Sequence, residues 1–108
     1  MRNSSEQRAL RHYRLRCYRI LGKNVWVGGY EVDLIVRRGR RLAFVEVKSK
    51  SGGRFGDPLE MVTAEKRRRI RQAAEAWLAA HPELVGLKVS FEVVAERSGH
   101  LERLKEAF

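Results

Sequence analysis

Cysteine occurs once in this chain of 108 residues, at Cys17. An internal disulfide is therefore excluded, and so is a zinc finger built from several thiolates. Proline occurs twice, and no Pro/Ser-rich tract or repeat interrupts the chain, so one domain over residues 1–108 is expected. No apolar run approaches the ~20 residues that cross a bilayer. The opening Met1-Arg2-Asn3-Ser4-Ser5-Glu6 leads into arginines rather than an apolar stretch, so neither a secretory signal nor a membrane partner is expected. A reducing cytoplasm is the expected compartment. Acidic residues are also few: 13 Asp+Glu stand against 23 Lys+Arg, a formal net charge of +10.

The basic residues are the informative part. Arginine dominates lysine, and its planar fork fits phosphate oxygens. The excess is uneven along the chain. Residues 1–24 and 37–54 each carry seven basic residues and one acid, residues 65–71 carry five and one, and residues 75–108 are net acidic. A general compositional bias would spread more evenly. Confinement to the first two-thirds points to a polyanionic partner, nucleic acid, with a solvated basic face as the plainer alternative.

Hydrophobic content of 44% is ordinary for a globular protein. Asn3, Ser4 and Ser5 are candidate caps for a first helix with Leu10, Tyr13 and Cys17 on its inward stripe, which places Cys17 in the core. Tyr18–Leu21 and Val25–Val27 suggest an irregular first strand around Gly22-Lys23-Asn24. The β-branched run 31–36 and the run 42–48 read as strands joined at Gly39-Arg40, a two-residue loop of type II′. After the glycine-rich stretch 51–56, Asp57-Pro58-Leu59-Glu60 or Thr63 would cap a second helix buried through Ile70, Ala73, Ala74, Trp77 and Leu78, and ended by His81-Pro82. Leu87, Val89, Phe91, Val93 and Ala95 alternate with more polar neighbours as a fourth strand. Ser98-Gly99 turns the chain into a short final element. The order α-β-β-β-α-β implies an α/β fold, a mixed sheet with helices packed on it.

The hairpin register places Asp33 opposite Glu46 and Glu31 opposite Lys48, all four on one face, with Val32, Leu34, Val36, Val45 and Val47 on the other. Two carboxylates set across a ladder repel. A divalent cation is the natural offset, because Mg²⁺ takes Asp and Glu oxygens and completes its shell with water and phosphate. Glu6 falls within about 40° of the first helix's inward stripe, where it could complete the acidic cluster. Favourable interaction with the helix dipole explains Glu6 equally well. Taken alone, Lys48 is explained by an ion pair with Glu31.

The succession Glu6, Asp33, Glu46-Val47-Lys48 is similar to the D…ExK motif of the restriction-endonuclease-like (PD-(D/E)xK nuclease) superfamily. The chain more closely resembles the YraN-like bacterial family, which has that fold. The matches are Tyr18-Arg19-Ile20-Leu21 with Asn24, Glu31-Val32-Asp33-Leu34-Ile35, Phe44-Val45-Glu46-Val47-Lys48, Phe55-Gly56-Asp57-Pro58, Lys66, Phe91-Glu92-Val93-Val94 and Ala107-Phe108. Departures are Tyr30 and Cys17 at positions where the family often has glycine, Ser5 before the helix acid, and Ser90 and Glu92 in place of Arg and Asp.

The resemblance implies a restriction-endonuclease-like αβββαβ core and an endonuclease that hydrolyses DNA phosphodiester bonds. Asp33 and Glu46 would bind one or two Mg²⁺ or Mn²⁺ ions, with Glu6 acting directly or through water and Glu31 as an auxiliary acid. Asp33, Glu46 and Lys48 would be catalytic, Lys48 by orienting the attacking hydroxide or neutralising transition-state charge. Arg38, Arg40, Arg41, Lys50, Arg54, Lys66, Arg67, Arg68, Arg69 and Arg71 are the candidate DNA contacts, and Lys66 shares a helix face with Ile70, Ala73 and Trp77 that points it back toward the sheet. Trp26 and Tyr30 are placed to stack on unpaired bases. Analogy of fold to junction-resolving enzymes suggests branched or structured DNA, and two-fold pairing into a homodimer would serve the cutting of two strands. The competing expectation is a nucleic-acid-binding module with this fold and no efficient cleavage.

Overall fold

The computed structural model describes residues 4–50, 63–97 and 100–105, with the side chains of Lys50 and Arg97 excepted. The elements are α1 (Ser4–Leu15), β1 (Arg19–Val27), β2 (Tyr30–Arg38), β3 (Arg41–Lys50), α2 (Ala64–Ala79), a single 3-10 turn at Pro82–Leu84, β4 (Lys88–Arg97) and β5 (His100–Leu104). The strands form one sheet in the order β1-β2-β3-β4-β5, antiparallel except for the parallel pair β3–β4. A parallel pair needs a crossover, and α2 lies in that connection. The expected α/β architecture with an αβββαβ core is present, and β5 extends it. No helix among the described residues is long and apolar enough to cross a membrane.

Two apolar clusters explain the layering. Ala9, Leu10 and Tyr13 of α1 pack on Leu34, Val36, Ala43, Val45 and Val94. Ala73, Ala74 and Trp77 of α2 pack on Val32, Ile35, Leu42 and Phe44. Each strand of the β2–β3 hairpin thus feeds both layers, as strand alternation requires.

The ends of α1 depart from expectation. Ser5 is not a cap but a buried residue of the first turn, and its hydroxyl donates to Glu96 Oε1 at 2.6 Å. Cys17 is exposed rather than in the core. It sits beyond the helix with φ 66°, while its own N–H donates to Arg14 O and that of Tyr18 to Tyr13 O. This is the Schellman arrangement, in which the residue after the cap turns left-handed and leaves the helix face. The helical stripe therefore ends at Tyr13 and does not include Cys17. Thr63 does cap α2, its hydroxyl accepting the Lys66 N–H. The alternative cap at 57–60 lies outside the described residues.

The β2–β3 turn forms as expected. Gly39 has φ 60° and Arg40 does not share the left-handed region. Register runs Arg38–Arg41 through Leu34–Val45. The β1–β2 connection is Gly28-Gly29, both with positive φ, as a type I′ turn needs. A Cβ on Gly28 would sit 3.3 Å from Ala73 Cα, so this turn also lies tight against α2.

The fourth strand is buried on both faces. Its Ser90–Glu92–Val94 side, expected to be the more polar one, is covered by α1, and Glu92 is fully buried. Tyr13 Oη donates to Glu92 Oε1 at 2.6 Å, and Arg103 Nε of β5 does so at 2.8 Å. Arg103 also donates to Tyr18 Oη at 2.8 Å, and its guanidinium lies over both tyrosine rings. Burial opposes the Arg103 charge, but Glu92 and Tyr18 outweigh it and hold the pKa above its ordinary value. Burial, reinforced by the Glu92 charge, raises the Tyr13 hydroxyl.

Candidate active site at the splayed ends of β2 and β3

The expected pairing of Asp33 with Glu46 and of Glu31 with Lys48 does not form. The β2–β3 ladder ends at Leu34–Val45, and Glu31 instead faces Trp26 of β1. Beyond that point the Val47 N–H has a side-chain acceptor: Asp33 Oδ2, at 2.8 Å. A carboxylate replaces the backbone carbonyl that a longer ladder would have supplied.

Alternation breaks at the same place. Val32 packs in the α2 layer with Ile35, not in the α1 layer with Leu34 and Val36. Pairs Lys23–Leu34 and Val25–Val32 bracket the break and set Asn24 across from Asp33. Asn24 has φ 50°, a conformation in which asparagine is enriched. Both strands are irregular here, so Asp33 is set by local backbone geometry rather than by a flat sheet face.

Asp33 sits beside Glu46, with Glu6 and Glu31 close enough to act on it. Burial first, and then the charge of Glu46, push its pKa up to about 7, against a lowering by the Val47 N–H; Glu6 and Glu31 add smaller upward contributions. Glu6 Oε1 accepts Asn24 Nδ2 at 3.2 Å, which ties the first turn of α1 to the β1 irregularity.

On β3, Lys48 Nζ lies 3.0 Å from Glu46 Oε2, with the two side chains only 15% and 13% exposed. Residues two apart on a strand share a face. Lys48 therefore pairs with its own strand's acid, not with Glu31. Lys66 of α2 does point back to the sheet and reaches 3.8 Å from the same Glu46 oxygen. Burial disfavours the Lys48 charge, but the charges of Glu46 and Asp33 prevail and raise its pKa. Lys66 is lowered, chiefly by contact with Lys48. Tyr30, Glu31, Glu46, Lys66, Arg69 and Ile70 line a cleft here.

The candidate DNA contacts separate into groups. Lys66 and Arg69 border the cleft, Arg69 also pairing with Glu65 and lying over the Tyr30 ring. Arg67, Arg68 and Arg71 line a separate groove on α2 with Gln72 and Glu75. Arg38, Arg40 and Arg41 lie at the β2–β3 turn. Five to seven residues of strand at ~3.3 Å each put them roughly 20 Å from Asp33 and Glu46. Arg38 donates to Arg16 O and Arg40 to Gly86 O, so both also brace neighbouring loops. The Lys50 side chain and Arg54 lie outside the described residues. Asn24, named from sequence only in a turn and a family match, and the Val47 N–H are the site groups given no role there. An asparagine at a turn signal inside an apolar strand was the available sign for the first; a backbone donor leaves none.

Among the described residues, no three His, Cys, Asp or Glu side chains form a ready metal cage. The donor set nonetheless suits a hard cation. Mg²⁺ needs only one or two protein carboxylates, and Glu46, Glu6 and Glu31 all raise the pKa of Asp33, a repulsion that a bound cation would offset.

A five-stranded mixed sheet between two helices, with an acid–lysine cleft where its two central-hairpin strands part, defines an α/β protein with the αβββαβ core. Residues 5–95 match the family described as "Uncharacterised protein family UPF0102", and the chain belongs to that family. A UPF0102 protein of Shewanella amazonensis is 35% identical over 104 residues, which cover 96% of this chain and 94% of the relative. One from Methylorubrum extorquens is 42% identical over 91 residues, 84% of this chain and 70% of the relative. One from Methylocella silvestris is 44% identical over 78 residues, 72% of this chain and 61% of that longer protein. None of these names states an activity.

Proposed function

We propose that the protein is a Mg²⁺- or Mn²⁺-dependent endonuclease that hydrolyses DNA phosphodiester bonds, with branched or otherwise structured DNA as substrate. The observation that carries this reading is Asp33, held by the Val47 N–H in the company of Glu46, Glu6 and Glu31. Asp33 and Glu46 would hold the ion, with Glu6 and Glu31 as outer acids. When bound, the ion would polarise the scissile phosphate and lower the pKa of a water. Lys48, braced by Glu46, would set its ammonium against the charge that builds on the phosphate in the transition state. Lys66 and Arg69 supply positive charge on the α2 wall of the cleft, where an entering phosphate chain would pass. Pairing of two chains would let one site act on each strand of a duplex.

The test is incubation with linear, nicked, flapped and four-way DNA in Mg²⁺, Mn²⁺ or chelator. Lys48→Ala is expected to slow cleavage about a hundredfold, as loss of one preorganised charge does, with DNA affinity nearly unchanged. An equal loss of affinity would make Lys48 a phosphate anchor instead. A parent protein that cleaves none of these substrates with either metal would remove the nuclease reading.

One observation favours a second reading, a DNA-binding module without efficient cleavage: Glu46 is already shared by two ammonium groups. Both readings require the protein to hold phosphates. Charge reversal at Arg67, Arg68 and Arg69 should weaken binding and flatten its salt dependence by about 0.9 in log–log slope for each duplex phosphate that is no longer neutralised. An unchanged slope would place these arginines outside the interface.

A further inference from the structure

We infer that Trp26 is a stacking platform for an unpaired base, which rests on the DNA reading above and narrows its substrate to DNA with an unpaired nucleotide beside the phosphate held in the cleft. Trp26 belongs to the edge strand β1, faces Glu31 across the ladder, and is 72% exposed. The other exposed large apolar residues described are Leu15, Val85 and Val89, none of them aromatic. Glu31 is two residues from Asp33, so Trp26 stands about 7 Å along the sheet from Asp33. That is about two stacked nucleotide spacings of ~3.4 Å.

The other aromatic described at this end is already engaged. Tyr30 is half-buried against the α2 layer, with the Arg69 guanidinium 5.3 Å from its ring centroid. Trp77 is buried, edge-on to Phe44 and stacked on His81. Among the described aromatics near the acids, Trp26 therefore offers an exposed indole face. Its surroundings fit a base better than a protein partner. Val25 and Val27 turn into the α2 layer, and the neighbour across the ladder is a carboxylate, so no apolar patch of described residues surrounds the ring. Bases inside a duplex are covered on both faces by their neighbours. A lone platform thus selects flaps, gaps and single strands, while the basic surface attracts any phosphate chain.

The experiment measures the affinity of the full chain, in chelator, for three fluorescently labelled DNAs: a single strand, the same strand with abasic positions, and a duplex. Trp26→Ala is expected to weaken binding of the ordinary single strand by about 5- to 150-fold, the range for losing one stacked base. Binding of the abasic strand and the duplex should stay as in the parent, and Trp26→Phe should keep most of the single-strand affinity. Indole fluorescence should be quenched by the ordinary strand in the parent and not in Trp26→Ala, whose remaining tryptophan is buried. Equal single-strand affinity in parent and Trp26→Ala, or an equal loss on the abasic strand, would overturn the platform and leave the cleft's proposed chemistry standing. Failure of the parent to bind any of the three would overturn both.

Discussion

Asp33→Asn should stabilise the metal-free protein at pH 8 and change nothing at pH 3.5. Asp33 is an acid whose folded pKa, about 7, lies above its ordinary value of 3.8. Below pH 3.8 it is protonated folded or unfolded and contributes nothing. Between 3.8 and 7 the unfolded chain releases this proton first, so stability falls as pH rises. Above 7 the whole penalty is present. A three-unit difference sets an upper limit of about 4 kcal/mol, and water reaching the half-buried carboxylate will lower it. Asparagine cannot ionise, yet its amide oxygen can still accept the Val47 N–H, so the substitution removes charge without removing the bond. Denaturant midpoints of parent and variant in chelator from pH 3.5 to 8 should diverge upward through that window. Mg²⁺ or Mn²⁺ should close the gap above pH 7 by stabilising the parent more than the variant. Parallel curves would mean that Asp33 carries no ionisation penalty, and a gap indifferent to metal would remove Asp33 from the ligand set.

Arg103→Met should cost about 3–5 kcal/mol, the usual loss when one member of a buried ion pair is removed. Glu92 has no exposed surface, and the Arg103 side chain is 9% exposed. Methionine preserves much of the volume over Tyr13 and Tyr18 but leaves the Glu92 carboxylate without its cation. Adding Glu92→Gln should recover more than half of the loss, because the amide still presents an oxygen to Tyr13 Oη and carries no charge. Urea unfolding of the parent, the single variant and the double variant measures this. A single-variant loss below about 1 kcal/mol, the range of an exposed pair, or no recovery in the double variant, would show that β5 is not pinned to the sheet by this pair.

Much of the site is legible in the sequence because it is carried by local pattern. The glycine at position 39 dictates a tight turn, and the turn sets a register that holds through Leu34–Val45. Glu46 and Lys48 share a face because they are two residues apart on a strand, and Lys66 faces inward because it shares a helical stripe with Ile70 and Trp77. Opposed carboxylates predict that Asp33 and Glu46 lie close together, and the structure brings them together by another route. The ladder does not continue as far as they require; Asp33 stands where pairing stops, and its side chain takes over a backbone bond. Cys17 lies outside the core for a related reason: periodicity shows where a helix face points but not where a left-handed residue ends it.

By itself, the amino-acid sequence determined the α/β order of elements, the β2–β3 hairpin register, the inward stripes of both helices and the concentration of positive charge in the first two-thirds of the chain. These depend on period, turn chemistry and composition, all of which act over a few residues. Tertiary structure alone decided the end of the β2–β3 ladder, the bond between Glu6 and Asn24 beside Asp33, and the burial of Glu92 against Tyr13 and Arg103. The contacts of Glu6 and of Glu92 join segments far apart in sequence, as in the 79 positions between Tyr13 and Glu92. Such contacts are set by how helices and sheet pack in three dimensions, because burial makes an unpaired charge costly and so selects its partner from whatever the fold brings within reach.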